Sequence, residues 1–440
     1  MATRPFRVAV VGAGPAGFYA AEALLRAPEQ VAVDLYDRLP TPYGLVRYGV
    51  APDHAKLKQV TATFQTIADL PGFRFFGNVA VGSDIGIADL KRHYHAVVIA
   101  CGAERDQPLG IPGAGLAGVH GGMAFVGWYN GHPDRADLAP DLSGRTALVI
   151  GIGNVALDVA RILSKPVDLL ASTDIADHAL EALTRSRIER VVVAARGGPA
   201  QARCTEKELR EFGSLPGCAV TADTGHHGVA PATGVPALFN AFPSQDGDHA
   251  PRRCHFAFGL QPQAILGEGK VRGVRFASRP IRDGIAVNDP QANRVVDVEA
   301  DIVIACIGNR ATIVPGMEQD EGDRIVANEG GRVRSGRGVD LGLYVAGWIK
   351  RGASGTIGTN RACAVETIAA LRADLAALPD PELPVDALEG EFRLKSLNVI
   401  SFDQWKIIDQ QEIEKGRSSG RTRVKIVPKE SILRTIYFNR

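Results

Sequence analysis

The chain is predicted to fold as a three-layer α/β protein with two doubly wound nucleotide-binding units, the first assembled from both chain ends. Three observations predict this. An apolar run, Val8 to Val11, breaks into Gly12-Ala13-Gly14-Pro15-Ala16-Gly17 and continues as a helical pattern from Phe18 to Leu25. The same order returns with Thr146 to Ile150, Gly151-Ile152-Gly153-Asn154-Val155-Ala156, and a helix to Leu163. A strand, Gly342 to Ala346, then leads into a turn carrying Gly347, Gly352, Gly355 and Gly358, and a helix from Thr356 to Leu375. Strand, glycine turn and helix in this order form a Rossmann-like dinucleotide fingerprint, and its repetition argues for two nucleotide sites.

Each element has a physical reason. Gly12 allows the tight turn, Gly14 lets backbone N–H groups approach a pyrophosphate, and Gly17 lets helix and strand pack closely. Pro15 and Ala16 open a helix whose first N–H groups lack intrahelical acceptors and suit an anion. Val31 to Tyr36 reads as the next strand and ends in Asp37, a carboxylate placed to accept from ribose hydroxyls. The stretch RLPTPYGLVRYGV, rich in Pro and Gly, reads as a loop over a ligand. A helix from about Pro52 to Ala68, a strand pair in FRFFGNVAVG and a buried strand, His95 to Ala100, complete the first unit.

Gly and Pro crowd residues 107–122 and mark the crossing into the second unit, followed by a short helix and turn, Phe125 to Pro133. After the second glycine turn, one helix is predicted over 170–188. The strand Arg190 to Ala195 ends in Arg196, which suits a ribose 2′-phosphate where a carboxylate would repel it. Residues 221–253 are the expected mobile surface. CHFAFGL, KVRGVRFA and RVVDVEADIVIACIG read as an antiparallel appendage. The tail carries a helix and a basic strand, TRVKIV. The expected division is 1–106 with 328–440, and 107–327.

Fifty basic and forty-nine acidic side chains leave a net charge of +1, which argues against a nucleic-acid binder or a polybasic membrane protein. No run approaches the roughly 18 apolar residues of a membrane span. With the first strand starting by Phe6, a soluble cytoplasmic protein is expected. Six cysteines, at 101, 204, 218, 254, 306 and 363, include no closely spaced pair, so neither a redox dithiol nor a zinc site is expected. Cys101 and Cys306 read as small core residues.

GAGPAGFYAAEALL, TPYGLVRYGVAPDHAKLK, FFGNVAVG, GIGNVALDVARIL, TDIADHALEAL, KELREF and GWIKRGASGTIGTNRACA together closely resemble the adrenodoxin reductase-like family of ferredoxin–NADP reductases. The resemblance weakens between about 215 and 255. It implies FAD in the domain formed by both chain ends, NADP in the middle domain and an iron–sulfur ferredoxin as acceptor. FAD contacts are implied at Ala16, Asp37, Leu45, Val81, Trp348 and Gly355-Thr356-Ile357, beside the glycine loop Gly12, Gly14, Pro15 and Gly17. NADP contacts are implied at Ile152-Gly153-Asn154-Val155, Arg196, Glu208 and Gly355. His54 and Asp158 match polar positions near the flavin and nicotinamide, and Trp348 matches one against the flavin. The alternatives are a helix-opening or surface role for His54, a polar cleft for Asp158 and aromatic packing for Trp348.

Two departures stand out. Where the family usually has Arg-Arg-Gly-Pro, this chain has Arg196-Gly197-Gly198-Pro199, so one 2′-phosphate arginine is absent. Losing one charge-assisted pair removes roughly 1.5–3 kcal/mol of discrimination, and Arg203 in the nearby loop is the candidate to compensate. A further family arginine aligns with Gln107, two residues from Arg105. The loop at 220–255 is short and rewritten where relatives carry basic ferredoxin contacts. An acidic ferredoxin would then be met by local cations, the candidates being Arg203, Arg210, Arg252, Arg253, Arg417, Arg421, Arg423 and Lys425; Lys350 and Arg351 are expected to be solvated.

The leading expectation is hydride transfer from NADPH to FAD, then single-electron transfer to a ferredoxin. One alternative is an NADH-preferring reductase feeding a monooxygenase chain, motivated by Gly197. Another is a non-catalytic flavoprotein subunit. Oligomeric state is not legible.

Overall fold

A computed structural model describes residues 5–225, 233–244, 250–289, 291, 294–320, 322, 325–336 and 338–437. Parts of the predicted surface segment, 226–232 and 245–249, lie outside the described residues.

Two sheets organise the chain. The first has seven strands, in the spatial order Asn328–Glu329, Arg332–Ser335, Gly338–Val345, Ala96–Ile99, Phe6–Val11, Val31–Asp37 and Phe73–Gly77. The last five of these are parallel. Strand Gly338–Val345 closes a sheet begun more than 300 residues earlier, so both chain halves build this unit. Its faces bury separate cores. Val8, Val10, Phe18 and Leu35 pack with Trp405 and Ile408, whereas Ala9, Tyr36, Ile99 and Val345 pack with Leu388 and Phe392. Alternate strand residues face opposite layers, which is why apolar runs rather than alternating patterns encode these strands.

The second sheet is wholly parallel, in the order Val119–Gly121, Ile302–Ala305, Thr146–Ile150, Arg190–Ala194, Arg252–Ala257 and Cys218–Asp223. One face packs on helix Asn154–Ser164 and its neighbours. The other meets a three-stranded antiparallel appendage, Leu260–Glu268, Lys270–Ser278 and Arg294–Glu299. The crossings lie together, because Arg105–Asp106 pairs antiparallel with Asn309–Arg310. From there Ala311, Val314 and Val326 already pack in the first unit's core, upstream of residue 328.

Several expectations are corrected. CHFAFGL supplies a central parallel strand, Arg252–Ala257, rather than part of the appendage, and RVVDVEADIVIACIG splits between appendage and central sheet. FRFFGNVAVG gives one strand, with Val81 only bridged to Ile85. The helix after Pro52 divides into Ala55–Lys58 and Val60–Ala68, and the one over 170–188 into Val167–Ala171 and Asp177–Thr184.

TRVKIV is no strand. It runs as a strap from helix Phe402–Ser418, whose Trp405 and Ile408 lie in the first core, to Val427 in the second core. The chain then returns as helix Lys429–Tyr437, placing Ile432 and Ile436 back in the first.

Candidate active site

The first glycine turn is enclosed. Gly12 has φ +109°, and a Cβ there would lie 2.6 Å from the Ala100 carbonyl oxygen; one on Gly17 would lie 1.9 Å from the Gly12 oxygen. Only glycine fits either position. The Ala13 N–H donates to Asp37 Oδ2 (2.8 Å), and the Leu39 N–H to Oδ1 (2.9 Å). Asp37 therefore ties the turn to the end of strand Val31–Asp37, with lone pairs left for a ribose hydroxyl. Burial pushes its carboxyl up to about 6, against the pull of those two N–H groups.

Two more segments converge here. Tyr43, at φ +84°, donates its N–H to the Ala13 oxygen (2.7 Å), and Gly44 leaves room for only 3.0 Å between a Cβ and Gly14 Cα. Leu45 follows, half-buried, at the start of helix Leu45–Tyr48. From the other chain end, a Cβ on Gly347 would lie 2.5 Å from Ala16 Cβ. Trp348 is half-buried, and its indole N–H donates to the Ser354 oxygen (3.0 Å). Gly355, at φ +79°, and Thr356 lead exposed into helix Ile357–Asp374. Val81 is partly buried against the core on the far face of the first sheet.

Helices Pro15–Leu25 and Ile357–Asp374 both start without a side-chain cap. Two uncapped positive helix ends, glycine backbone and the Asp37 carboxylate fit a dinucleotide with its ribose and pyrophosphate. FAD supplies hydride acceptance and single-electron release when bound.

The second turn is built in the same way. Gly151, at φ +125°, would put a Cβ 2.1 Å from the Cys306 oxygen, and no atom lies within 4 Å of where a Gly153 Cβ would be, as at Gly14 of the first turn. Helix Asn154–Ser164 is also uncapped by a side chain. Asn154 Oδ1 accepts from the Thr205 N–H (2.9 Å), and the Ile152 oxygen from the Arg203 N–H (3.1 Å). Val155 is partly buried, Arg196 is exposed at the end of its strand and Gly197 follows it half-buried. A Cβ on Gly197 would approach Gln201 Cβ to 2.9 Å. Glu208 lies buried on helix Glu206–Arg210.

His54 and Asp158 come together from different units, with His54 Nδ1 3.8 Å from Asp158 Oδ1. Nε2 of His54 lies 3.1 Å from Glu211 Oε2. Arg161 donates to Asp158 (2.8 Å) and by two nitrogens to Asp53 (2.9 Å each), which also accepts from Lys165 (2.5 Å). Burial raises the Asp158 carboxyl although Arg161 and His54 pull it down. Asp53 is held well below the usual carboxylate range, because Arg161 and Lys165 outweigh its burial. The sequence reading missed Glu211, Asp53 and Arg161. The available signals were helix spacings, Arg161 three residues after Asp158 and Glu211 three after Glu208. Trp348 has no hydrogen bond to this cluster.

Several predicted surface cations are internal. Lys350 is buried, donating to Thr367 (3.1 Å) beside Glu366 (2.9 Å), and Arg351 is tied to Ser354, Thr359 and Asn360. Arg421 pairs with Asp177, Arg423 with Asp409 and Glu412, and Lys425 is buried against Asp174 (3.2 Å). Arg252 donates to the Lys165 oxygen, and Arg210 pairs with Glu206. None of the six cysteines is joined in a disulfide, and burial pushes the Cys101 thiol up to about 12 and Cys306 higher still. Among the described residues no cluster suits a metal ion, and no helix is long and apolar enough to cross a membrane.

Residues 6–212 match the model of the pyridine nucleotide-disulphide oxidoreductase family. A probable ferredoxin/ferredoxin–NADP reductase of Mycobacterium tuberculosis is 42% identical, over 96% of this chain and 74% of its own length. The mitochondrial NADPH:adrenodoxin oxidoreductase of Arabidopsis thaliana is 38% identical, over 98% and 95%. The solved structure of Mycobacterium tuberculosis FprA in complex with NADPH superposes with a TM-score of 0.90 at 38% identity, covering 98% and 99%. With two uncapped glycine-turn helices already in place, this near full-length similarity settles the family. The chain belongs to the adrenodoxin reductase-like ferredoxin–NADP reductases and is an FAD-dependent, NADP(H)-using oxidoreductase.

Proposed function

We propose that the chain passes electrons from NADPH, through an FAD resident in the first unit, to an acidic ferredoxin that docks transiently. The observation that carries this is the pair of uncapped glycine-turn helices, one on each sheet, joined by the cluster of His54, Asp158 and Glu211. The chain's own residues bind and orient. Asp37 and the backbone around Gly14, Ala16 and Thr356 hold one dinucleotide, while Gly153 to Val155 and Arg196 hold the other. Trp348, at the turn into Gly355, is assigned to the flavin edge where nicotinamide enters. His54, anchored by Glu211 and facing Asp158, is assigned to a proton-handling position between the two units. Cysteines outside any disulfide and a near-neutral charge suit a reducing cytoplasm.

Anaerobic stopped-flow bleaching with NADPH and NADH in parallel tests the assignment. A preference for NADPH of about a hundredfold, roughly 2.7 kcal/mol, supports NADP(H) use with Arg196 and local help. Comparable rates would favour the NADH-fed reading that Gly197 motivates and point to an oxygenase chain downstream. No bleaching with either nucleotide would defeat both. Gly197→Arg alone is a blunt probe, because its Cβ meets the Cβ of Gln201; the double change with Gln201→Gly, which removes that atom, is expected to raise NADPH preference.

A further inference from the structure

We propose that Arg203 is a phosphate ligand of the second nucleotide site, acting beside Arg196 at the mouth of the turn Gly151–Gly153. The inference rests on the reading of that turn as the coenzyme site. Its first support is placement. Arg203 and Gly153 face each other as a parallel bridge, closed by the Arg203 N–H to Ile152 oxygen bond of 3.1 Å. Opposed residues of a bridge carry their Cβ atoms on one face. At Gly153 that face is open, with no atom within 4 Å of a Cβ position. The Thr205 N–H bonded to Asn154 Oδ1 pins the same segment two residues on, so the backbone carrying Arg203 is fixed against the turn.

The second support is electrostatic. Arg203 is exposed, and its guanidinium has no ion pair or hydrogen bond among the described residues; the same holds for Arg196. Arg161, Arg252, Arg421 and Arg423, by contrast, all have partners within the protein. An unpaired cation beside the start of a helix uncapped by a side chain sits at the wrong end of the helix dipole. A bound phosphate reverses the sign of that interaction, since both guanidinium and helix end then face an anion.

The third support is the neighbouring corner. Gly197 offers no side chain, and the space a Cβ would need is taken by Gln201, whose Oε1 accepts from the Gly198 and Ala286 N–H groups (2.9 Å each). The next cation along the loop after Arg196 is therefore Arg203. A dinucleotide offers it a pyrophosphate, and a phosphorylated one also a 2′-phosphate; the chemistry recognised is the same.

The test is calorimetric titration of the flavin-loaded full chain with NADP+ and with NAD+, comparing wild type, Arg203→Ala and Arg203→Lys. Arg203→Ala is expected to weaken NADP+ binding about ten- to hundredfold, as loss of a charge-assisted bond does. Arg203→Lys should restore part of it, keeping charge without the bidentate fork. An equal loss for NAD+ places the guanidinium on the pyrophosphate, and a loss confined to NADP+ places it on the 2′-phosphate. An unchanged flavin spectrum checks that the variant is folded, which an exposed side chain should permit. Wild-type affinity of Arg203→Ala for both nucleotides would overturn the proposal. Failure of the wild type to bind either would overturn the coenzyme-site reading itself.

Discussion

The two glycine turns share one sequence logic and differ in enclosure. Around the first, three distant segments close in, leaving no room for a Cβ at Gly12, Gly17 or Gly347. Around the second, Gly151 is equally constrained by the Cys306 backbone, and Gly153, like Gly14 in the first turn, has no atom within 4 Å of a Cβ position. The 203–205 segment runs beside it, with no counterpart among the described residues to the close approach of Gly347 to Ala16. Surfaces assembled from many segments hold a ligand that stays, because release needs several of them to move together. A turn flanked by fewer segments, with unpaired cations, suits a ligand that must arrive, react and leave. Under the proposed assignment, the number of segments packed on a turn, more than the motif, separates the resident cofactor from the exchanging coenzyme.

The largest effect should come from closing the first turn. Gly17→Ala puts a methyl 1.9 Å from the Gly12 oxygen, with Leu35 at 3.3 Å behind it. Backbone must shift, and the purified protein is expected to be nearly colourless, read as flavin absorbance per chain. Wild-type flavin content would break the comparison at its firmer side.

Gly151→Ala sharpens the contrast. Its Cβ meets the Cys306 oxygen at 2.1 Å and its φ of +125° is strained for any L side chain. Flavin should be retained, while NADP+ binding falls by more than about tenfold, a penalty of roughly 1.4 kcal/mol or above. Joint loss of flavin and coenzyme would mean that the units do not bind separately.

The tail strap ties the two units together, with Trp405 and Ile408 in the first core and Val427 in the second. Glu412, fully buried, accepts from Arg47 through both carboxylate oxygens (2.6 and 2.9 Å) and from the Ile426 N–H (2.8 Å). Glu412→Gln leaves Arg47 charged and buried without its counter-ion, which costs about 3–5 kcal/mol. The check is the urea midpoint at constant slope. A midpoint within error of wild type would mean that Arg47 finds other compensation.

The glycine turns, their helices and the parallel strands were legible because each is a local signal of steric need or unbroken apolarity. Asp37 was legible as a carboxylate at a strand end, but its bonds to Ala13 and Leu39 needed the turn's three-dimensional path. What failed was charge. Lys350, Arg421, Arg423 and Lys425 read as surface cations, because a basic residue in a loop carries no mark of a partner far along the chain. Asp174 and Lys425 are 251 positions apart and buried together. Glu211 was missed for the same reason, since its partner His54 belongs to the other unit. The strap read as a strand because Val424, Ile426 and Val427 suit one, yet its neighbours supply two cores rather than a ladder.

The smallest effect tests the polar contact between the units near the first turn. Arg38 pairs with Glu104 (2.6 Å) on its own side and with Asp134 of the second unit. Burial alone would raise the Glu104 carboxyl, but His132, with Nε2 3.8 Å from Glu104 Oε2, and the charge of Arg38 outweigh it and lower it from the ordinary 4.5 to about 2. A depressed carboxyl binds fewer protons folded than unfolded, so its contribution is present above the unfolded pKa and is lost as pH falls from about 4.5 towards 2. With Glu104 a third exposed, solvent screening reduces the contribution to about 1 kcal/mol or less. Glu104→Gln should lower stability slightly at neutral pH and flatten the acid dependence across that window, measured by urea titrations at stepped pH. If the variant keeps the wild-type slope, the acid sensitivity belongs to Asp53 or Glu412, whose carboxyls are also held low, and the contact near Arg38 contributes nothing to joining the units.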